Sequence, residues 1–220
     1  MSTLEAVIFD MDGVLTETSR QHYLAWKLLA KDIGFEITEE INEQVKGISR
    51  LESLDIVLRA GNMIDKFTEA EKMQLADKKN VIYQSLIKAF TKDNLSAGAL
   101  ALLKALKEHK VKIALASVSK NAQFLLEAMD ISNYFDAVVD PSEVKNGKPA
   151  PDIFLMAANK LGIDPKNCIG IEDAFAGVEA IKSAGMKPIG IGKKEMLYNC
   201  ETVFNSLTEI DIEGLGKLLN

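Results

Sequence analysis

Apolar residues follow two rhythms along this chain. Short, mostly unbroken apolar runs occur at Ala6-Val7-Ile8-Phe9, Val111-Lys112-Ile113-Ala114-Leu115-Ala116, Ala137-Val138-Val139, Cys168-Ile169-Gly170-Ile171 and Pro188-Ile189-Gly190-Ile191. Runs of this length predict strands, and the run at Ala6-Val7-Ile8-Phe9 predicts one buried on both faces. Between them, apolar positions recur every three or four residues and predict helices over 19–33, 51–58, 69–90, 99–109, 122–129, 152–161 and 174–184. Thr38 followed by Glu39-Glu40-Ile41 predicts the N-cap and first turn of a further short helix. Gly34 is placed to end the first helix.

The order of these elements constrains the architecture. From 95 onward strands alternate with helices, which predicts a doubly wound parallel sheet with helices on both faces: an α/β fold. No strand pattern interrupts 18–90. Consecutive helices between two strands predict an inserted all-helical domain rather than a simple crossover. The expected division is a core of 1–16 and 95–220 carrying a helical cap of 17–94. In such sheets ligands bind beyond the carboxyl ends of the strands.

Composition narrows the function classes. Of 220 residues, 47% are hydrophobic but only 6% aromatic, so aliphatic side chains must fill the core. A net charge of −6 argues against a broad nucleic-acid surface, which needs clustered Lys and Arg. It leaves room for a small basic pocket. No run approaches the ~18 apolar residues of a membrane span, and no basic-then-apolar leader opens the sequence. Cys168 and Cys200 have no metal-ligand spacing and are expected to be reduced thiols in a cytoplasmic protein. A monomer is expected.

Chemistry enters where the first strand ends, at Asp10-Met11-Asp12-Gly13. Two acids at the carboxyl end of a buried strand are costly unless a cation or a reacting group compensates them. One reading is a strand ending in a solvated acidic turn. The other is a carboxylate nucleophile supported by Mg²⁺, with a neighbouring acid/base. A second buried-type strand also ends in paired acids, Glu172-Asp173, followed by Gly177, which permits close packing there. Lys148-Pro149-Ala150-Pro151-Asp152 presents a lysine on a segment stiffened by prolines. Ala116-Ser117-Val118-Ser119-Lys120-Asn121 forms a strand-to-helix junction whose hydroxyls and free N–H groups favour a phosphate, while Ser119 or Asn121 also suits a helix N-cap.

Phe9-Asp10-Met11-Asp12-Gly13-Val14 followed by Thr16-Glu17-Thr18, the serine junction, the Lys148 segment and Glu172-Asp173 together, in that order, resemble the four signatures of the haloacid dehalogenase superfamily of phosphoryl-transfer enzymes. The resemblance covers nearly all of the chain. It implies a Rossmann-like core, with Asp10 as nucleophile and Mg²⁺ ligand. Asp12 would be the general acid/base and give its backbone carbonyl to the metal, with Glu172 and Asp173 completing the metal site. It implies that Ser117 and the Val118 N–H hold the transferring phosphate. Ser119 and Asn121 would hold the distal one, and Lys148 would balance charge between nucleophile and phosphoryl group.

Val45-Lys46-Gly47-Ile48-Ser49-Arg50 is by itself a glycine turn with two basic residues. In context it resembles the substrate loop in the cap of the superfamily's sugar-phosphate mutases. That implies substrate contacts from Lys46, Gly47 and Ser49, and a bidentate grip by Arg50 on the phosphate not being transferred. Trp26 is implied as a further substrate contact. Thr18 and His22 match hinge positions that hydrogen-bond the acid/base as the cap moves, although a lone His is often a plain helix residue. The implied activity is a Mg²⁺-dependent interconversion of β-glucose 1-phosphate and glucose 6-phosphate through an aspartyl phosphate and a bisphosphate intermediate. A sugar phosphatase of the same superfamily, and a catalytically weak sugar-phosphate sensor, are the competing expectations.

Overall fold

The structure, a computed structural model, describes residues 3–219. Six parallel strands form one sheet: β1 (Ala6–Phe9), β2 (Lys112–Leu115), β3 (Ala137–Val138), β4 (Cys168–Glu172), β5 (Lys187–Ile191) and β6 (Val203–Phe204), in the order β3-β2-β1-β4-β5-β6. The chain builds outward from β1 to β3, then returns to the other side of β1 to start β4. The crevice between β1 and β4 is therefore the topological switch point, the place where a parallel α/β sheet takes its ligand.

The unbroken apolar run of β1 has the expected cause. Val7 and Phe9 enter one core, with leucines of α5 (Ala99–Glu108) and α6 (Ala122–Ala128). Ala6 and Ile8 enter the other, with Ile153 and Phe154 of α7 (Asp152–Leu161) and Ile181 of α8 (Phe175–Ser183). Alternate residues of a strand point to opposite faces, so a strand covered by helices on both sides has no polar positions to spare.

Between β1 and β2 the chain forms α1 (Ser19–Asp32), α2 (Glu39–Gln44), α3 (Arg50–Ala60) and α4 (Glu69–Ile87). These share an apolar core of their own, centred on Trp26, Leu29, Leu54, Val57 and Leu58. The unit is the expected all-helical cap. Gly34, at φ +96°, follows α1 as anticipated. Its two connections to the sheet are tied together. Thr16 forms an antiparallel bridge with Leu95, the Ser96 N–H donates to the Leu15 carbonyl at 2.9 Å, and the Thr16 hydroxyl donates to the Asn94 carbonyl at 2.8 Å.

Two elements depart from the sequence reading. β6 is only two residues long, and α9 (Ile212–Lys217) contains Gly214 and Gly216. The expected ends of α4 at 90 and of α6 at 129 each retreat by one to three residues. Both cysteines are free and buried. Among the described residues no helix is long and apolar enough to cross a membrane.

Asp136 ties the β3 edge to the core. Its carboxylate accepts from the Ile113 N–H at 2.9 Å, Lys107 at 2.9 Å and Lys112 at 3.1 Å. Burial works against its charge, but the N–H and the two lysines outweigh burial and hold the carboxyl below its ordinary 3.8. A lowered folded-state value means the stabilisation is present above 3.8 and is lost as pH falls through the lower folded value. Asp136→Asn is expected to cost about 1–3 kcal/mol at neutral pH. In urea melts the gap to the parent should close in acid.

Candidate active site

Register assembles the site. Phe9 pairs with Leu115 on one side and Ile171 on the other. The next residue along each strand brings Asp10, Ala116 and Glu172 to one level. The Asp10 N–H donates to the Ile171 carbonyl at 2.9 Å, and the Ala116 N–H to the Phe9 carbonyl at 2.8 Å. Asp10, Ser117 and Glu172-Asp173 thus leave the sheet side by side.

Lys148 lies beneath them. It is 1% exposed, and its ammonium donates to Asp10 Oδ1 at 2.6 Å and Glu172 Oε2 at 2.7 Å. The ammonium also sits 5.1 Å from the centroid of the Phe154 ring. The segment that presents it carries a cis peptide at Lys148-Pro149. Burial opposes the charge on Lys148, but Asp10 and Glu172 overcome it and raise its pKa. Gly177 has the reason anticipated for it: a Cβ there would lie 2.1 Å from Glu172 Oε2.

One cation does not balance this corner. Oxygens of Asp10, Glu172 and Asp173 all lie within 4.8 Å of one another. Burial, then the charge of Glu172, pushes Asp10 up to about 8 against the pull of Lys148. Asp173 is raised well above the ordinary range by burial, Glu172 and Asp10, with Lys46 opposing. Three converging carboxylates, two of them buried and the third half-buried, all oxygen donors and short of positive charge, fit a hard divalent cation such as Mg²⁺.

Asp12 points elsewhere. Its Oδ1 accepts from the Thr18 hydroxyl in a short hydrogen bond and from the Tyr83 hydroxyl at 3.5 Å, and it faces His22 Nε2 at 3.7 Å. All three fall on one oxygen of a group that has two. Burial opposes ionisation, but His22 and Thr18 outweigh it and hold the carboxyl below its ordinary value. Two acids two residues apart are thus driven in opposite directions, a pattern that separates acid/base duty from nucleophile duty.

The Asp12 surroundings include residues that sequence reasoning missed. Lys79 Nζ lies 2.8 Å from His22 Nδ1 and 4.5 Å from the centroid of the Trp26 ring. Tyr83 stacks on His22 with centroids 4.0 Å apart. Burial, then the charge of Arg50, draws the Lys79 ammonium down to about 7 against Asp12. Burial and Lys79 lower His22, with Asp12 opposing. The signal was in α4: Lys79 sits on the helical stripe of Ala76, Tyr83 and Ile87, an apolar face where a lysine has no reason to be unless it is used.

A cavity of about 660 Å³ opens above these groups, between sheet and cap. Asp10, Asp12, Asp173, His22 and Trp26 form its floor and near wall, and the Lys46–Arg50 loop forms its roof. Gly47, at φ +72°, brings that roof down onto the core: a Cβ there would lie 2.8 Å from the Ala174 Cβ. Lys46 pairs with Glu43 at 2.8 Å. Ser49 has a second duty, because its side chain and Glu52 form the capping box of α3. Arg50 reaches across to Asn80 and Asp77 on α4.

On the core side Val118, Ser119 and Asn121 line the cavity. Ser117 is buried, and its hydroxyl accepts from the Ser119 N–H at 3.1 Å. Asn121 occupies the N-cap position of α6 without capping it by its side chain, and its N–H donates to the Ser119 hydroxyl at 3.3 Å. Thr18, Lys148 and Glu172 are buried next to the lining residues.

The chain was compared with known proteins. It is 44% identical over 97% of its length to the beta-phosphoglucomutase of Bacillus subtilis, covering 95% of that protein. It is 35% identical to a phosphorylated carbohydrates phosphatase of Thermotoga maritima, over 84% of each chain. The crystal structure of beta-phosphoglucomutase from Clostridium difficile superposes with a TM-score of 0.95 at 45% identity, covering 99% of this chain and 97% of that one. Residues 4–185 match the family model described as haloacid dehalogenase-like hydrolase. That match runs through all four signatures, from the acids after β1 to the pair that ends β4, and the chain belongs to the haloacid dehalogenase-like hydrolase family.

Proposed function

We propose that this chain is an isomerase that interconverts β-D-glucose 1-phosphate and glucose 6-phosphate, the activity named for its Bacillus subtilis relative. The observation that carries the choice of mutase over phosphatase is the seating of the cap loop on the core. Gly47 lies tight against Ala174 directly over the carboxylates. Water must be kept from an aspartyl phosphate that is to be passed to a sugar. The protein divides on this reading into a core of 1–16 and 95–220 and a cap of 17–94, with the paired crossing at Thr16 and Leu95 as the joint. Its partners are small sugar phosphates.

Asp10, Glu172, Asp173 and the backbone carbonyl of Asp12 would hold Mg²⁺. The bound cation would offset the negative charge shared by nucleophile and phosphoryl group. Asp10 carries the phosphoryl group between half-reactions, as an acyl phosphate. Asp12 takes the proton from the 6-hydroxyl of glucose 1-phosphate as that oxygen attacks the phosphorus and the bond to Asp10 breaks. The bisphosphate turns end for end. Asp10 then attacks the 1-phosphate, and Asp12 returns the proton to the leaving O1. Lys148 holds the Asp10 carboxylate in place and supplies a fixed positive charge beside it. Ser117 and the Val118 N–H receive the transferring phosphate. Arg50, Ser119 and Asn121 receive the other one, where each charge-assisted bond is worth roughly 1.5–3 kcal/mol. Trp26, Lys46, Gly47 and Ser49 shape the sugar's end of the cavity, and Thr18 and His22 orient Asp12.

The test is to supply β-glucose 1-phosphate, Mg²⁺ and a trace of the 1,6-bisphosphate, and to follow both products. Glucose 6-phosphate should accumulate in large excess over free phosphate, and a chelator should stop both. Free phosphate as the main product would establish the phosphatase, and activity in excess chelator would remove the metal site.

A further inference from the structure

Two donors assigned above to the non-transferred phosphate come from different domains, and they meet on a single oxygen. Arg50 Nη2 donates to Asn80 Oδ1 at 2.9 Å. Asn121 Nδ2 donates to the same oxygen, also at 2.9 Å. The Asn121 amide is held in that orientation from behind, because Gln84 Nε2 donates to Asn121 Oδ1 at 3.0 Å. Asn80 and Gln84 are four apart on α4 and so share one face. Arg50's ion pair with Asp77 is long, at 3.5 Å, and the Asp77 side chain is 81% exposed. Such a pair contributes little to holding the guanidinium. The common acceptor is therefore the contact that sets where Arg50 points. Arg50, Asn80 and Asn121 all line the cavity.

An oxygen that takes one bond from a guanidinium and one from an amide, at the wall of a phosphate pocket, occupies the role of a phosphate oxygen. We propose that Asn80 is a positioning residue that stands in for the non-transferred phosphate, holding Arg50 and Asn121 converged until a phosphate-bearing sugar replaces it. This rests on the reading that Arg50 and Asn121 grip that phosphate.

The chemistry of the exchange follows from charge. The amide oxygen has two lone pairs, so it satisfies both donors, and neither is left unpaired in a partly buried site. It carries no net charge, so its bonds are about half as strong as those a phosphate oxygen would accept. A dianionic phosphate therefore displaces it, while a sugar hydroxyl does not. Asn80 thereby makes the clamp selective for ligands that carry a second phosphate group beyond the one on Asp10. The arms are already converged, so less ordering remains to be done when substrate binds.

The discriminating experiment compares Asn80→Asp, Asn80→Ala and Arg50→Ala on two substrates, β-glucose 1-phosphate and p-nitrophenyl phosphate, which has no distal phosphate. Aspartate keeps the shape of asparagine but puts a charged acceptor under Arg50 that competes with phosphate. Asn80→Asp should raise KM for the hexose phosphate roughly tenfold or more, beyond the rise in Asn80→Ala, with a smaller change in kcat. The aryl phosphate should show a much smaller change. A merely structural asparagine predicts the reverse order, with the isosteric Asp milder than Ala. If Asn80→Asp is the milder variant while Arg50→Ala still raises KM for the hexose phosphate selectively, the stand-in role is overturned and the clamp reading survives. If Arg50→Ala affects both substrates equally, the clamp reading falls and the stand-in role falls with it.

Discussion

Asp10→Asn should yield a protein that folds, takes up no phosphoryl group and loses hexose-phosphate turnover by on the order of 10⁴-fold or more. The amide is nearly isosteric, and the backbone at this position is fixed by the Asp10 N–H bond to the Ile171 carbonyl. What disappears is the anionic oxygen that attacks phosphorus. Lys148 keeps Glu172 as a partner at 2.7 Å, so its buried charge is not abandoned. Burial and Glu172 push Asp10 upward against the pull of Lys148, so a neutral amide relieves the crowding of three carboxylates around one ammonium. A neutral side chain there should leave the thermal midpoint unchanged or raise it. The measurement is the intact mass after incubation with acetyl phosphate and Mg²⁺, paired with a thermal melt. A mass increase of one phosphoryl group in the variant would move the nucleophile elsewhere. A large drop in melting temperature would make the loss of activity a folding defect.

Much of this site could be read from the chain because its parts sit where strands end. The buried run of β1 made Asp10 conspicuous, and the run of β4 did the same for Glu172. Nothing in the sequence, however, states that β1 lies between β2 and β4. The convergence of Asp10, Ser117 and Glu172 is a consequence of register, Phe9 against Leu115 and Ile171. The elements that went unread have local causes. β6 is two residues long, too short for any periodicity. α9 contains two glycines, which are poor helix formers, and its start depends on the Asp211 side chain accepting from the Gly214 N–H at 2.7 Å. Asn121 reads as a helix cap, yet its side chain turns to α4, because a tertiary partner outcompeted a local one.

The same limit explains α4. Its Lys and Gln content suggests a solvated helix, but Lys79, Asn80, Tyr83 and Gln84 all face the joint between cap and core. A helix face that meets a second domain is as polar as the groups it must pair. Hydrophobic periodicity therefore understates its importance.

Asp12→Asn should separate the two acids by leaving group. The variant keeps an oxygen for the Thr18 and Tyr83 hydroxyls, so the side chain stays in place while its ability to carry a proton is removed. A positioned general acid/base contributes a factor of about 10²–10⁴ where the oxygen concerned is a sugar hydroxyl, which leaves and attacks poorly without proton transfer. Acetate and p-nitrophenolate leave without such help. Asp12→Asn should therefore still form the phosphoenzyme from acetyl phosphate, in contrast to Asp10→Asn. It should then fail to discharge it to glucose 1-phosphate, so that the labelled protein persists when sugar is added. If both half-reactions fall together, Asp12 acts by shaping the carboxylate cluster and not by moving a proton. His22, Tyr83 and Lys79 would then be packing around a structural acid. If only the sugar step falls, those three side chains, all carried by the cap helices α1 and α4, connect closure of the lid to readiness of the base. Phosphoryl transfer would then be efficient only when the cavity is shut against water.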